Sequence, residues 1–239
     1  MAGKKWLIVG GVAALALAAW LLYPRIATRG VGRDSCREIP TAAGVGDIAV
    51  DTARGVAYLA YLDRTSNAEG QRPTGTIMLV DLNAKEPRVR AALSSDPQHF
   101  RPIALSLYAP EQGVRRLFVL DRGDGVLAVQ VFEQSATGAF TLVQTLHDSR
   151  LANPTAIVAS GPDQFYVVSP GPWWQFGRQS VAYFNGQTLV TPSEAKAREI
   201  AEATMLAKRE HADAAGKYGK YLLIGSLTDH KLLLCENAG

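Results

Sequence analysis

Four histidines and a scatter of carboxylates are what this 239-residue sequence offers for proton transfer or metal binding. His147 precedes Asp148, the arrangement in which a carboxylate orients an imidazole, but no convincing nucleophile stands beside the pair. His99, in the loop sequence DPQHFRP, stands alone, and a lone loop histidine is ordinarily a surface or satisfied side chain. Asp121, Asp124 and Gly125, together with Asn153, supply oxygen ligands near predicted strand ends. A calcium ion asks for six to eight oxygens, several of them carboxylates, converging on one point, and this spacing fits no calcium loop. Arg122-Gly123-Asp124 reads as a turn before it reads as an adhesion motif.

The elements that must position these residues are strands. After the N-terminal segment, the chain alternates with period two in short apolar runs parted by Gly, Pro, Asp and Asn turns, the pattern of an all-β protein. One theme recurs: a turn with Gly or Pro leads into a strongly apolar strand at TARGVAYLAYL (52–62), PEQGVRRLFVLD (110–121), GPDQFYVVS (161–169) and KYGKYLLIGS (217–226). Strands such as GTIMLVDL (75–82), VLAVQVFE (126–133) and QSVAYFNG (179–186) lie between them. The steps from Val56 to Leu117, Phe165 and Tyr221 approximate one four-stranded propeller blade each, which predicts a propeller of about four blades, closed into a ring. A sandwich would also give many short strands but would not explain the repeat. One stretch breaks the pattern. TPSEAKAREIAEATMLAKREHADAAG (191–216) is rich in Ala, Glu and Lys, and Thr191 as N-cap, Pro192 and Glu194 predict a capped helix near 191–212. The alternative for its second half is an irregular strand of the last blade.

The composition, 47% hydrophobic and 20% charged, is that of a globular domain and excludes a multi-pass membrane protein. The net charge of +3 has a local origin: Lys4, Lys5, Arg25, Arg29 and Arg33 all precede the first acidic residue, Asp34. The remaining 20 basic and 22 acidic residues carry −2, so the globular part has no electrostatic footprint for nucleic acid. The residues from Trp6 to Tyr23 contain no charge, just long enough for a spanning helix, with Trp6, Trp20 and Tyr23 near its ends. A cleaved signal peptide ending near Ala16-Leu17-Ala18 is the rival, but the apolar run continues past that site, so an uncleaved signal-anchor is expected. Cys36 and Cys235 bracket nearly the whole globular part, a placement that suits a closing disulfide; two reduced, buried thiols are the alternative. A disulfide would place the domain in an oxidising compartment and the N-terminus in the cytoplasm. The expected organisation is an anchor and linker over 1–33 and a propeller over 34–239. The expected location is a single-pass membrane protein with its propeller on the periplasmic, extracellular or lumenal side.

Several segments, in order, resemble the paraoxonase or arylesterase family of calcium-dependent esterases and lactonases. GVGDIAVDTARGVAYLAY is similar to that family's first blade, GTIMLVDLN to the strand that follows, and LANPTAIVASGPDQFYVVS to its central blade. GKYLLIGSLTDHKLLLCEN, which contains His230, reproduces the family's ending down to the terminal Cys-Glu. The resemblance implies a six-bladed propeller, an N-terminal hydrophobic segment and a disulfide between the two ends. Here the match jumps from YFNGQTLVTPSE to the last blade, so about two blades are missing.

The same resemblance implies a calcium ion and a histidine dyad, and this sequence departs from both. The acidic pair at the start of blade one falls on Gly46 and Asp47, leaving Asp47 as the single metal-ligand position retained. The central Asn-Asp falls on Thr155 and Ala156, and the two histidines fall on Ile103 and Arg122. A single carboxylate does not hold calcium, and in such enzymes the ion polarises the carbonyl and stabilises the oxyanion. No catalytic residue and no cofactor is therefore assigned, and Asp47 is expected to cap backbone N–H groups. The expected function is a degenerate, non-catalytic member binding a small hydrophobic ligand or a protein. The alternative is an arylesterase or lactonase with a re-sited or metal-free site. Trp173, Trp174 and Phe176, in the surface-loop sequence PGPWWQFG, are the candidate ligand-binding residues. They would cover the propeller mouth, touch the membrane, or fill space left by the lost blades.

Overall fold

The computed structural model describes residues 36–62, 74–125, 127–151, 153–170, 179–193, 195–197, 199–200, 214–219, 221–226 and 230–236. The anchor expected over 6–23 and the loop carrying Trp173, Trp174 and Phe176 lie outside the described residues. Among the described residues no helix is long and apolar enough to cross a membrane.

The fold is all-β, in four sheets of four antiparallel strands. Blade I is a meander of β2 (Gly44–Asp51), β3 (Val56–Leu62), β4 (Gly75–Asp81) and β5 (Val89–Ala91). Blade II follows with β6 (Pro102–Tyr108), β7 (Arg116–Asp121), β8 (Ala128–Gln134) and β9 (Phe140–Leu146). Blade III contains β10 (Ala156–Gly161), β11 (Gln164–Pro170), β12 (Gln179–Phe184) and β13 (Leu189–Val190). Blade IV draws β14 (Ala214–Tyr218), β15 (Tyr221–Gly225) and β16 (Lys231–Glu236) from the C-terminus, and its outer strand is β1 (Cys36–Pro40) from the N-terminal side.

The recurring turn-plus-apolar-strand theme is the hairpin into the second strand of each blade, β3, β7, β11 and β15. In blades I and II this strand has neighbours on both edges and sheets against both faces, so β3 and β7 read as continuous apolar runs, while β11 and β15 mix buried and half-buried positions. In VAYLAYL every residue after Val56 is buried, whereas in the outer strand FTLVQTL five of seven are exposed. The turn at Gly55 needs its backbone at φ 66, and a Cβ there would come within 2.3 Å of the Asn83 amide. Register places Cys36 opposite Cys235, and the two form a disulfide with Cα atoms 3.9 Å apart, which ties the first strand of the domain to the last.

Among the described residues the ring is not closed by blade-to-blade packing. The inner strands pack in the series β14, β2, β6, β10, each on the next. Among the described residues there are three apolar cores, one per junction: Val45, Leu59 and Leu223 between blades IV and I; Tyr58, Phe100 and Phe132 between I and II; Phe118, Phe165 and Phe184 between II and III. Among the described residues no comparable packing joins β10 to β14. A closed four-bladed ring would have a fourth core between blades III and IV, and the described residues form none, so in place of the expected closure they form an arc of blades. The packing of facing side chains sets the angle between sheets, and strand periodicity carries no information about it.

The helix near 191–212 is also revised. Residues 195–197 and 199–200 are helical, but the first bond is donated by the Ala197 N–H to the Ser193 carbonyl at 2.9 Å, and the Lys196 N–H faces the Ser193 hydroxyl. Ser193, not Thr191, is thus the N-cap, since its hydroxyl and carbonyl receive the first helical N–H groups. The end of the 191–216 segment belongs to strand β14, in line with the strand alternative. Residues 201–213 lie outside the described residues.

Candidate functional site

Asp47 sits on the inner strand of blade I just after a β-bulge, where the register with β3 shifts between Val45 and Asp47. A bulge re-aims the side chain that follows it, and here the carboxylate faces blade II. Its Oδ1 accepts the Ile48 N–H at 2.9 Å and its Oδ2 accepts the Leu105 N–H of β6 at 2.8 Å. Leu105 lies on the inner edge of its sheet, with no further strand to receive its N–H, so the side chain of the preceding blade fills that role. The same device recurs one blade on, where the Ser106 hydroxyl accepts the Ala159 N–H of β10 at 2.9 Å.

The other positions matched to family calcium and histidine sites serve the scaffold. Ile103 occupies the corresponding bulge of β6, between Pro102 and Ala104, and packs against the core between blades II and III. The Thr155 N–H donates to the Val168 carbonyl at 2.8 Å, and Ala156 begins β10. The Arg122 guanidinium donates to Asn153 Oδ1 at 2.8 Å, bringing a positive charge onto an oxygen that a cation would need.

Asp121, a candidate ligand from the sequence, is buried at 4% exposure and fully used. Its Oδ1 accepts the N–H groups of Arg101 (2.7 Å) and Gly123 (2.9 Å), and its Oδ2 accepts from the Gln130 amide at 3.1 Å. Gln130 in turn accepts from the Thr145 hydroxyl at 2.6 Å, which carries the network across blade II. Gly123 opens the short 3-10 turn Gly123–Gly125, and a Cβ on it would lie 2.5 Å from the His99 carbonyl. His99 itself is exposed, with a left-handed backbone at φ 54. Arg122-Gly123-Asp124 is therefore a packed turn, as the bland reading of the sequence has it.

His147 and Asp148 do not form a dyad. Arg150 takes both oxygens of Asp148, through its backbone N–H, its Nε at 2.8 Å and its terminal nitrogen at 2.6 Å. These bonds hold the Asp148 carboxyl down at about 2. His230 contributes its carbonyl, which accepts the Thr41 N–H at 3.0 Å beside β1.

The residues that would have to hold calcium do not fit it. The carboxylates of Asp47 and Asp121 are each bonded to backbone N–H groups of the scaffold. Among the described residues no group of three or more His, Cys, Asp or Glu side chains converges.

Two features escaped sequence reasoning. Asp51, at the end of β2, is 1% exposed in its side chain and contacts the Arg115 guanidinium at 3.3 Å across the junction of blades I and II. The partners sit on different blades, and no local pattern announces them. The second is a cleft between the outer strands of blades IV and I, bordered by residues of β1, β4 and β5.

A family model described as Arylesterase matches residues 66–185, about half of the chain. Serum paraoxonase/arylesterase 2 of Gallus gallus is 24% identical over 166 residues, 68% of this chain and 47% of that protein. Serum paraoxonase/arylesterase 1 of Homo sapiens is 27% identical over 170 residues, with the same two shares. Serum paraoxonase/lactonase 3 of Homo sapiens is 28% identical over 97 residues, 39% of this chain and 27% of that protein. The chain spans about half the length of the curated relatives it matches. Among solved structures, an α-L-arabinofuranosidase of Clostridium thermocellum superposes with a TM-score of 0.37 at 7% identity, over 75% of this chain and 60% of that one, too distant a likeness to carry an argument.

Proposed function

The chain belongs to the arylesterase family, and from that premise we propose that it is a membrane-anchored member that binds a ligand or partner without hydrolysing esters. The observation that carries this reading is the engagement of Asp47. The one acidic side chain retained from the family's calcium set spends both oxygens on the Ile48 and Leu105 N–H groups. A dication at this place would compete with two N–H dipoles for one carboxylate, and Gly46, Thr155 and Ala156 add no second one. Ile103, apolar and packed against a core, has replaced a proton-transfer group.

Three further parts of the reading rest on the sequence. The uncharged run from Trp6 to Tyr23 is the anchor. The Cys36–Cys235 disulfide favours a domain outside the cytoplasm. Trp173, Trp174 and Phe176 are the aromatic contacts offered to a hydrophobic ligand.

The relatives' names favour the second reading, an arylesterase- or lactonase-type hydrolase with a re-sited or metal-free site. The two are separated by turnover of phenyl acetate and of an aliphatic lactone by the full chain, with calcium and with chelator. The binding reading expects no saturable turnover above buffer in either condition. Saturable turnover that survives active-enzyme purification would establish the hydrolase.

A further inference from the structure

Adjacent propeller blades diverge outward, and each of the three junctions here is bridged in a different way. Between blades I and II, the Phe140 N–H donates to the Ala92 carbonyl at 2.9 Å and the Ser94 N–H to the Phe140 carbonyl at 2.8 Å. Between II and III, the Arg116 guanidinium donates to the Pro162 carbonyl at 3.0 Å and pairs with Asp163. At the junction of IV and I, the Arg37 guanidinium of β1 reaches the Lys85 carbonyl at 3.0 Å, and beside this contact β1, β4 and β5 border a cleft of about 580 Å³, within the range of small-molecule sites.

The cleft has an apolar wall and one uncompensated charge. Ile39 and Tyr61 are buried at 2% and 3% exposure, and half-buried Met78 and Val89 pack against the same core. Met78 brings an unbranched thioether that adapts to an irregular apolar guest. Two carboxylates border the cleft, and both are already paired: Glu38 with Lys231 at 2.7 Å and Glu86 with Arg88 at 3.3 Å. Arg37 donates to the Lys85 carbonyl at 3.0 Å and, among the described residues, meets no carboxylate.

We propose that this cleft binds an amphipathic carboxylate of the medium-chain fatty acid class. Its carboxylate meets the planar guanidinium fork of Arg37, and its alkyl chain lies along Ile39, Tyr61, Met78 and Val89. The Arg37 guanidinium, which meets no carboxylate among the described residues, selects the acid over a neutral or cationic amphiphile of equal length. None of the bordering residues belongs to the positions matched to family calcium ligands or histidines, so the site stands whether or not the chain hydrolyses esters.

The test is photolabelling of the solubilised full chain with a diazirine-bearing dodecanoate, the cross-linked peptides being mapped by mass spectrometry. The expected result is labelling confined to peptides carrying residues 36–42 and 78–89, suppressed by dodecanoate and spared by dodecyltrimethylammonium. Arg37→Gln should weaken competition by dodecanoate about tenfold, the loss of one charge-assisted contact. Val89→Trp, which narrows the cleft from a short outer strand, should abolish labelling while the disulfide remains formed. Labelling spread over the chain, equal suppression by the cationic amphiphile, or labelling unchanged in both variants would overturn the assignment.

Discussion

Asp47 and Leu105 lie on the inner strands of neighbouring blades, 58 residues apart in sequence, and the Asp47 carboxylate accepts the Leu105 N–H at 2.8 Å. The bond fixes blade I against blade II at the place where relatives are expected to gather metal ligands. Truncation by Asp47→Ala leaves two partly buried N–H groups unpaired and should lower stability by about 2 kcal/mol. Asp47→Asn keeps one acceptor and turns an amide donor toward another donor, a loss of about 1 kcal/mol. Urea denaturation of the two variants checks the order. Equal stability of all three proteins would mean that the carboxylate has another task.

The disulfide has the largest expected effect on stability. Cys36 and Cys235 are 199 residues apart and join β1 to β16, so the bond constrains nearly the whole domain in the unfolded state. Chain entropy puts its contribution on the order of 5 kcal/mol. The double variant Cys36→Ser/Cys235→Ser should show a denaturation midpoint far below that of the parent. A midpoint unchanged under reducing conditions would remove the staple from the account.

Asp51 and Arg115 form the most buried ion pair among the described residues, with side chains 1% and 11% exposed. Their contact at 3.3 Å is not aligned as a hydrogen bond, since neither Asp51 Oδ2 nor Arg115 Nε has a partner of hydrogen-bond geometry. Removing one member strands the other charge, so Asp51→Ala should cost about 3 kcal/mol. The pair replacement Asp51→Leu/Arg115→Met should recover most of that loss. A single variant as stable as the parent would show that water already solvates the pair.

Strand content and blade order could be read from the chain, because the second strand of each blade is strongly apolar and preceded by a turn residue. The pairing of the two ends was legible in the positions of Cys36 and Cys235. The open junction between blades III and IV was not, since facing Phe and Leu side chains set the angle between sheets and strand periodicity is blind to it. The helix start lies at Ser193 rather than Thr191, because both residues offer a capping hydroxyl and the pattern does not tell which one receives the Lys196 N–H. Asp47 was visible as a capping carboxylate, but its partner Leu105 was not, and Asp51 with Arg115 belongs to the same kind of contact between blades.

Tyr61 gives the pH prediction. Burial pushes its phenol up to about 12, against a smaller lowering by nearby Thr41. The Thr41 hydroxyl itself donates to the Ala43 carbonyl at 2.9 Å, and the Tyr61 hydroxyl has no well-aligned partner. The folded chain keeps this proton while the unfolded chain releases it above about 10. The contribution to stability is therefore intact below pH 10 and lost as the pH rises toward 12. Tyr61→Phe should remove that alkaline loss and raise stability at neutral pH by about 1 kcal/mol, by deleting an unpaired buried hydroxyl. Tyrosinate absorbance followed with denaturation across the alkaline range tests both, and a destabilised Tyr61→Phe would mean that the hydroxyl is bonded after all.

The claim that this arylesterase-family chain has turned its retained carboxylate from metal ligand to inter-blade clasp is tested most directly by calorimetric calcium titration of the full chain beside Asp47→Asn. The account predicts no heat of saturable binding in either protein and a stability difference of about 1 kcal/mol that calcium does not alter. Calcium binding at micromolar affinity in the parent, abolished in Asp47→Asn together with ester turnover, would contradict it.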